Sequence, residues 1–287
     1  MIRFRYSQVF DLVCHTLAYM PVNNPSNLYS RSYIQKMLAE GVGEGLEKKL
    51  ESLQPYYQAH FDRLCMINFL PFCCDTLDEL VQLLESYEQF TREDMACFIH
   101  PFCCILREEH AAYALWWQRK FDETEEARRN AQAWFQEAFA GCQPFFSHSG
   151  KAAMAGFSFS MTCNGRGFGS EKFLQAYVPF PEGEAAFQDT FFQLLHEFTH
   201  QVTDPICSRQ IRMDDGSHLL SEKAVMLFDY FFLQKVIPQR KEAYLRWVAA
   251  LVQADECPEA LFLSAFSTRA EMDQRLMMLA EEMCGQP

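Results

Sequence analysis

The residues best suited to chemistry are His196-Glu197-Phe198-Thr199-His200. Histidines four apart on a helix bring both imidazoles to one face, one turn apart, where they can share a tetrahedral metal ion. A carboxylate beside the first of them lies next to water on that metal and can take its proton. Phe191, Phe192, Leu194, Leu195 and Phe198 surround the motif with apolar bulk. A His-Glu-His set in such a helix needs partners, because unpaired buried polar groups are costly. The chemistry implied is zinc-assisted hydrolysis. His196 and His200 are ligands, the metal polarises a carbonyl and lowers the pKa of water, and Glu197 passes the proton to the leaving amine.

Two imidazoles do not complete a catalytic zinc site, which takes three protein ligands and leaves a position for water. Glu222 is the expected third ligand. It follows His200 by 22 residues, in the first turns of the next predicted helix, and the loop from Asp204 to Gly216 lets that helix fold back. Asp214, Asp215 and His218 are the alternatives. Glu222, Met226 and Asp229 share a helix face, so Asp229 is placed to orient a ligand histidine.

With these residues the chain resembles the zincin metallopeptidases of the gluzincin type. The resemblance implies zinc held by His196, His200 and Glu222, with Glu197 as general base and a peptide or protein as substrate. It also implies an antiparallel sheet before the active-site helix, whose edge strand holds the substrate backbone by strand addition. The resemblance covers residues 155 to 235. Thr203 and Ile206 stand where the metzincin pattern needs Gly and a last His, which excludes that type. Two departures matter. Met226 occupies the place of an aspartate found in the best-known gluzincins, and no histidine follows His218. Tyr230, Tyr244 or His218 is then the candidate to stabilise the oxyanion.

The elements that must position these groups follow from periodicity. Up to about Ala140 the chain reads as helix: Ser7 caps a helix to about Tyr19, a turn-rich loop spans 21–27, and helices follow at 47–66, 76–90 and 108–140. Residues 156–163 alternate apolar and small polar residues. They pair, through the turn 164–170, with a second strand at 172–180 as an antiparallel hairpin. The motif helix spans 184–202 and stops at Asp204-Pro205. Ser217 caps the next, which ends before Pro238, and two more cover 239–254 and 258–283. The expected fold is α+β and mostly helical, with a small antiparallel sheet before the active-site helix. A helical N-terminal region, 1–145, precedes a catalytic region, 146–287.

Composition sets the outer limits. A hydrophobic fraction of 49% in 287 residues suits a globular protein with a sizeable core. A formal net charge of -13 argues against nucleic acid and anionic membranes as partners. Polar residues interrupt the first twenty positions, so no signal peptide is expected, and no apolar run is long enough to span a membrane. The 12 cysteines therefore read as reduced, mostly buried thiols of a cytoplasmic protein. Cys97, His100 and Cys103 have ligand-like spacing, but Pro101 lies among them and no CxxC pair exists. Gly165-Arg-Gly-Phe-Gly169 lacks the helix and Lys-Ser/Thr of a phosphate loop and reads as a flexible turn. The rival to a hydrolase is a zinc-binding scaffold or regulator without turnover, whose helical region binds a partner. Glu197 speaks against it, since a structural site needs no base.

Overall fold

A computed structural model describes residues 2–24, 27–208 and 215–285. The fold is mostly helical α+β with one four-stranded sheet. The strands are β1 (Arg3–Arg5), β2 (Ala152–Ser158), β3 (Arg166–Gly169) and β4 (Phe173–Pro179), in the order β1-β2-β4-β3.

The sheet is mixed, which corrects the expected antiparallel sheet. Only β3 and β4 form an antiparallel hairpin, with Arg166 opposite Tyr177 and Gly169 opposite Leu174. β2 lies parallel to β4, and β1 lies parallel to β2. The strand expected at 156–163 begins earlier, at Ala152, and ends at Ser158. The cause is burial on both faces. Ala155, Phe157, Leu174, Ala176 and Val178 face one apolar core, while Tyr177 and Phe168 face another. Parallel strands covered on both sides read as near-continuous apolar runs, so alternation does not reveal their pairing.

The sheet therefore separates two cores. One holds the motif helix, Ile2, the aromatic residues Phe135, Phe139, Phe145 and Phe146, and the C-terminal helices. The other gathers the first helix (Gln8–Leu17) and the helical segments between residues 28 and 121. Asp11 of the first helix ties the two together. Its buried carboxylate accepts from Trp117 Nε1 at 2.7 Å, from the Ser158 hydroxyl, and from the Phe159 amide at 3.1 Å.

Helix boundaries differ from expectation where side chains compete for backbone groups. Ser7 caps the first helix, as its type predicts, by accepting from the Phe10 amide. The segment expected as one helix over 47–66 is broken into Leu46–Leu50, Gln54–Ala59 and Phe61–Leu64, with Pro55 restarting the chain in the first turn of the second. The stretch 108–140 divides at Thr124, whose hydroxyl bonds back to the Lys120 carbonyl at 2.7 Å, giving His100–Glu123 and Glu125–Ala140. Residues 258–283 divide into Glu259–Phe266 and Ala270–Gly285, and Asp273, inside the second piece, reaches back to accept from the Thr268 amide at 2.9 Å ahead of it.

The motif helix is Phe187–Ser208 and runs through the expected stop at Pro205. A proline so close to the helix end forfeits only one late backbone hydrogen bond. The next helix, Asp215–Val236, ends before Pro238 as expected. Among the described residues no helix is long and apolar enough to cross a membrane. All twelve cysteines are unpaired thiols, with Cys73, Cys97 and Cys104 exposed.

Candidate metal centre

The motif helix lies under β3 and β4 on the side of the C-terminal core. Gln201 ties it to the sheet by donating to the Gln175 carbonyl at 3.0 Å. The glycines of β3 allow the close approach. A Cβ at Gly165 would lie 2.6 Å from Glu197 Oε1, and one at Gly167 would collide with the Glu197 backbone carbonyl. Gly165 and the strand that follows it, 166–169, are thus seated on the motif, and the stretch is not the flexible turn its composition suggests. Only glycine leaves room for β3 at this height, since backbone cannot yield as a side-chain tip can.

On the same helix His196 and His200 present their Nε2 atoms to one another at 3.1 Å. Glu222 reaches them from the following helix. Its Oε2 is 3.2 Å from His196 Nε2, and its Oε1 is 3.4 Å from His200 Nε2. Among the described residues these three form the only group of His, Cys, Asp or Glu gathered as metal ligands could be. The spacing itself tests the fit. Taking one ligand atom from each residue, all lie within 4.8 Å of one another. That comes near the edge of about 3.3 Å between ligand atoms of a tetrahedral zinc. The 3.2 and 3.4 Å contacts use different oxygens of Glu222. The donor set of two imidazoles and a carboxylate is also one zinc accepts.

The charges around the cluster favour a cation. Burial opposes it, but hydrogen bonds donated to the Asp204 and Glu222 carboxylates push the His200 imidazole up to about 10. Burial likewise works against ionised Glu222, yet His196 and His200 hold its carboxyl well below the usual range. The carboxylates that stabilise a proton on this ring would also stabilise a metal cation, which takes the proton's place on the imidazole. Glu197 is different. Burial raises its carboxyl, against the pull of His196, His200 and Arg166. Upward is the direction a general base near neutral pH requires.

Partners stand behind both histidines. Asp229 is fully buried, with Oδ1 accepting from the Thr199 hydroxyl at 2.5 Å and Oδ2 facing His196 Nδ1 at 4.0 Å. Neither Asp229 Oδ2 nor His196 Nδ1 has a hydrogen-bond partner. They face one another without a hydrogen bond, so Asp229 stands beside the histidine it is expected to orient but does not bond to it here. Burial pushes Asp229 up to about 7, and the His196 charge and the Thr199 hydrogen bond work against it. His200 has a partner that sequence reading missed. Its Nδ1 lies 3.2 Å from Ser221 Oγ and 3.5 Å from Asp204 Oδ1, and Ser221 donates to Asp204 at 2.6 Å. The signal was present, because Asp204 is four residues beyond His200 and so on the same helix face.

The candidates for oxyanion stabilisation fare less well. Tyr230 is buried and donates to the Glu259 carboxylate. Tyr244 is fully buried and donates to the Met226 carbonyl at 2.9 Å. Both hydroxyls are occupied in the C-terminal core, and neither lines the cleft over the cluster. Asp214 lies outside the described residues. Asp215 and His218 fall in the first turn of the following helix, and their side chains lie outside the described residues too.

The cleft encloses about 690 Å³. His196, Glu197, His200 and Glu222 lie along it, with Gly165 and, from β3, Arg166 and Gly167. Phe61 and Asn68 from the N-terminal helices and Trp247 from the C-terminal ones also line it. No protein-family model, curated protein or solved structure matches the chain. Function therefore has to be argued from the site.

Proposed function

We propose that the protein is a zinc-dependent peptide hydrolase of gluzincin type. The observation that carries this reading is the division of labour among the acids. Glu222 meets both imidazoles with its two oxygens, while Glu197, on the same cleft and next to His196, stands outside the ligand cluster. A purely structural site has no use for that second carboxylate.

Zinc held by His196, His200 and Glu222 would supply Lewis acidity, polarising a carbonyl and making water easier to deprotonate. The chain supplies the rest. Glu197 takes the proton from the attacking water and carries it to the leaving amine. The Asp204–Ser221 pair fixes the tautomer and orientation of His200, and buried Asp229 faces Nδ1 of His196. Among the described residues β3 pairs with β4 alone, and Gly165, with Arg166 and Gly167 of β3, borders the cleft, so an extended peptide can add along the outer edge of the strand. The substrate is then a peptide or an extended segment of a protein. A cytoplasmic location, consistent with twelve unpaired thiols, belongs to the same reading.

The test is cleavage of a random peptide library by tag-free protein. Hydrolysis should be seen, stop on removal of metal with a strong chelator, and return with one equivalent of zinc. Activity that survives the chelator, or a library left intact by zinc-loaded protein, contradicts the reading.

A further inference from the structure

Most of the polar side chains along the cleft are already engaged. Asn68 donates to the Cys65 carbonyl at 2.9 Å, Asn27 to the Val22 carbonyl at 3.3 Å, and Thr162 to the Leu28 carbonyl. Arg166 donates to the Gly165 carbonyl at 2.7 Å, and Asp204 and Glu222 are held by the histidines. Gln193 is different. It lines the cleft half-buried, and its amide takes part in no hydrogen bond among the described residues. It precedes His196 by three residues and Glu197 by four, so it continues the helix face that carries both.

An apolar wall stands beside this amide. Trp247, on the helix Lys241–Leu251, has its ring centroid 5.9 Å from that of Phe192 and 6.3 Å from that of His196. The indole thus packs on the turn of the motif helix to which Gln193 belongs. Leu251 follows Trp247 by four residues, lines the cleft with it, and is 40% exposed. A half-buried ring and an aliphatic side chain offer an aromatic guest apolar contact, and ring–ring packing adds to it. The amide offers a donor and an acceptor without charge, which matches a hydroxyl, itself both donor and acceptor. The net charge of -13 counts against an acidic guest.

Resting on the hydrolase reading, we infer that Gln193, Trp247 and Leu251 form a subsite beside the metal centre that selects tyrosine next to the scissile bond. The substrate ring lies against Trp247 and Leu251. Its phenol hydroxyl exchanges a hydrogen bond with the Gln193 amide, and phenylalanine, which fits the same wall, leaves that amide unanswered.

The experiment compares three pools of hexapeptides with one fixed central residue, Tyr, Phe or Ala, in random flanks without aromatic residues. Competing depletion by zinc-loaded enzyme, followed by mass spectrometry, reads relative kcat/KM and locates the bond cut. Wild type should cut beside the fixed residue and deplete the Phe pool at least about tenfold faster than the Ala pool, as burial of an aromatic side chain does. The Tyr pool should lead the Phe pool by about threefold to tenfold, the size expected of one neutral hydrogen bond. In Gln193→Leu the lead of Tyr over Phe should vanish while that of Phe over Ala remains, with zinc content and circular dichroism unchanged. In Trp247→Leu the lead of Phe over Ala should fall to within about threefold. If that variant does not fold, the Gln193→Leu result decides alone. Equal depletion of the Tyr and Phe pools by wild type overturns the inference and leaves the hydrolase reading standing. So does cleavage away from the fixed residue, or a lead of Tyr that survives intact in folded, zinc-loaded Gln193→Leu. If zinc-loaded wild type depletes no pool, the inference falls together with that reading.

Discussion

Glu197→Gln is expected to keep its zinc and to lose hydrolysis by roughly 10²-fold or more. The amide has nearly the same shape, so the contacts with Gly165 and Gly167 that seat β3 on the helix persist. What it cannot do is accept a proton at neutral pH. The loss should appear in kcat, with KM little changed, because the group acts on the reacting water and not on substrate in the ground state. Thermal stability should not fall. Burial already disfavours the ionised carboxyl, so a neutral replacement removes a charge from a place where charge is penalised. A variant that keeps zinc and full turnover would remove Glu197 from the mechanism.

Glu222→Gln makes the same chemical change on the following helix and should do something different. Glu222 faces both imidazoles with its carboxylate oxygens, and a neutral amide oxygen is a poorer zinc donor. Zinc affinity should fall by about tenfold to 100-fold, a span like that of perturbed metal sites generally. Activity at limiting zinc should fall with it and recover in part at excess zinc. Competition with a chromogenic chelator reads the affinity, and turnover measured against zinc concentration reads the recovery. Equal zinc affinity in wild type and Glu222→Gln removes Glu222 as ligand. Equal loss of zinc in both glutamine variants removes the division between base and ligand.

The parts of this site that the sequence discloses are those written on single helices. His196, Glu197 and His200 share one helical turn, and Asp229 and Glu222 lie two turns apart on the next helix, so periodicity alone places each set on a face. The return of the second helix onto the first follows from the length of the loop between them. The sheet was harder to read. β1 is three residues long and carries two arginines, so nothing in Arg3–Arg5 announces a strand that joins residues 154–156. The parallel pairing of β2 with β4 depends on cores packed against both faces, which no local pattern records. β3 was hidden for a related reason. Gly165-Arg-Gly-Phe-Gly169 has the composition of a turn, and its glycines are explained only by the helix they touch. Tyr230 and Tyr244 misled because a tyrosine near a site in sequence says nothing of where its hydroxyl is engaged.

The most direct test is the metal content of the purified chain. Protein made without an affinity tag and dialysed against metal-free buffer should carry about one zinc per chain, as a three-ligand site does. His200→Ala, which leaves one imidazole and Glu222, should carry almost none while keeping its helical circular dichroism. Wild type without zinc, or His200→Ala with its full complement, would contradict the assignment of His196, His200 and Glu222 as a metal centre.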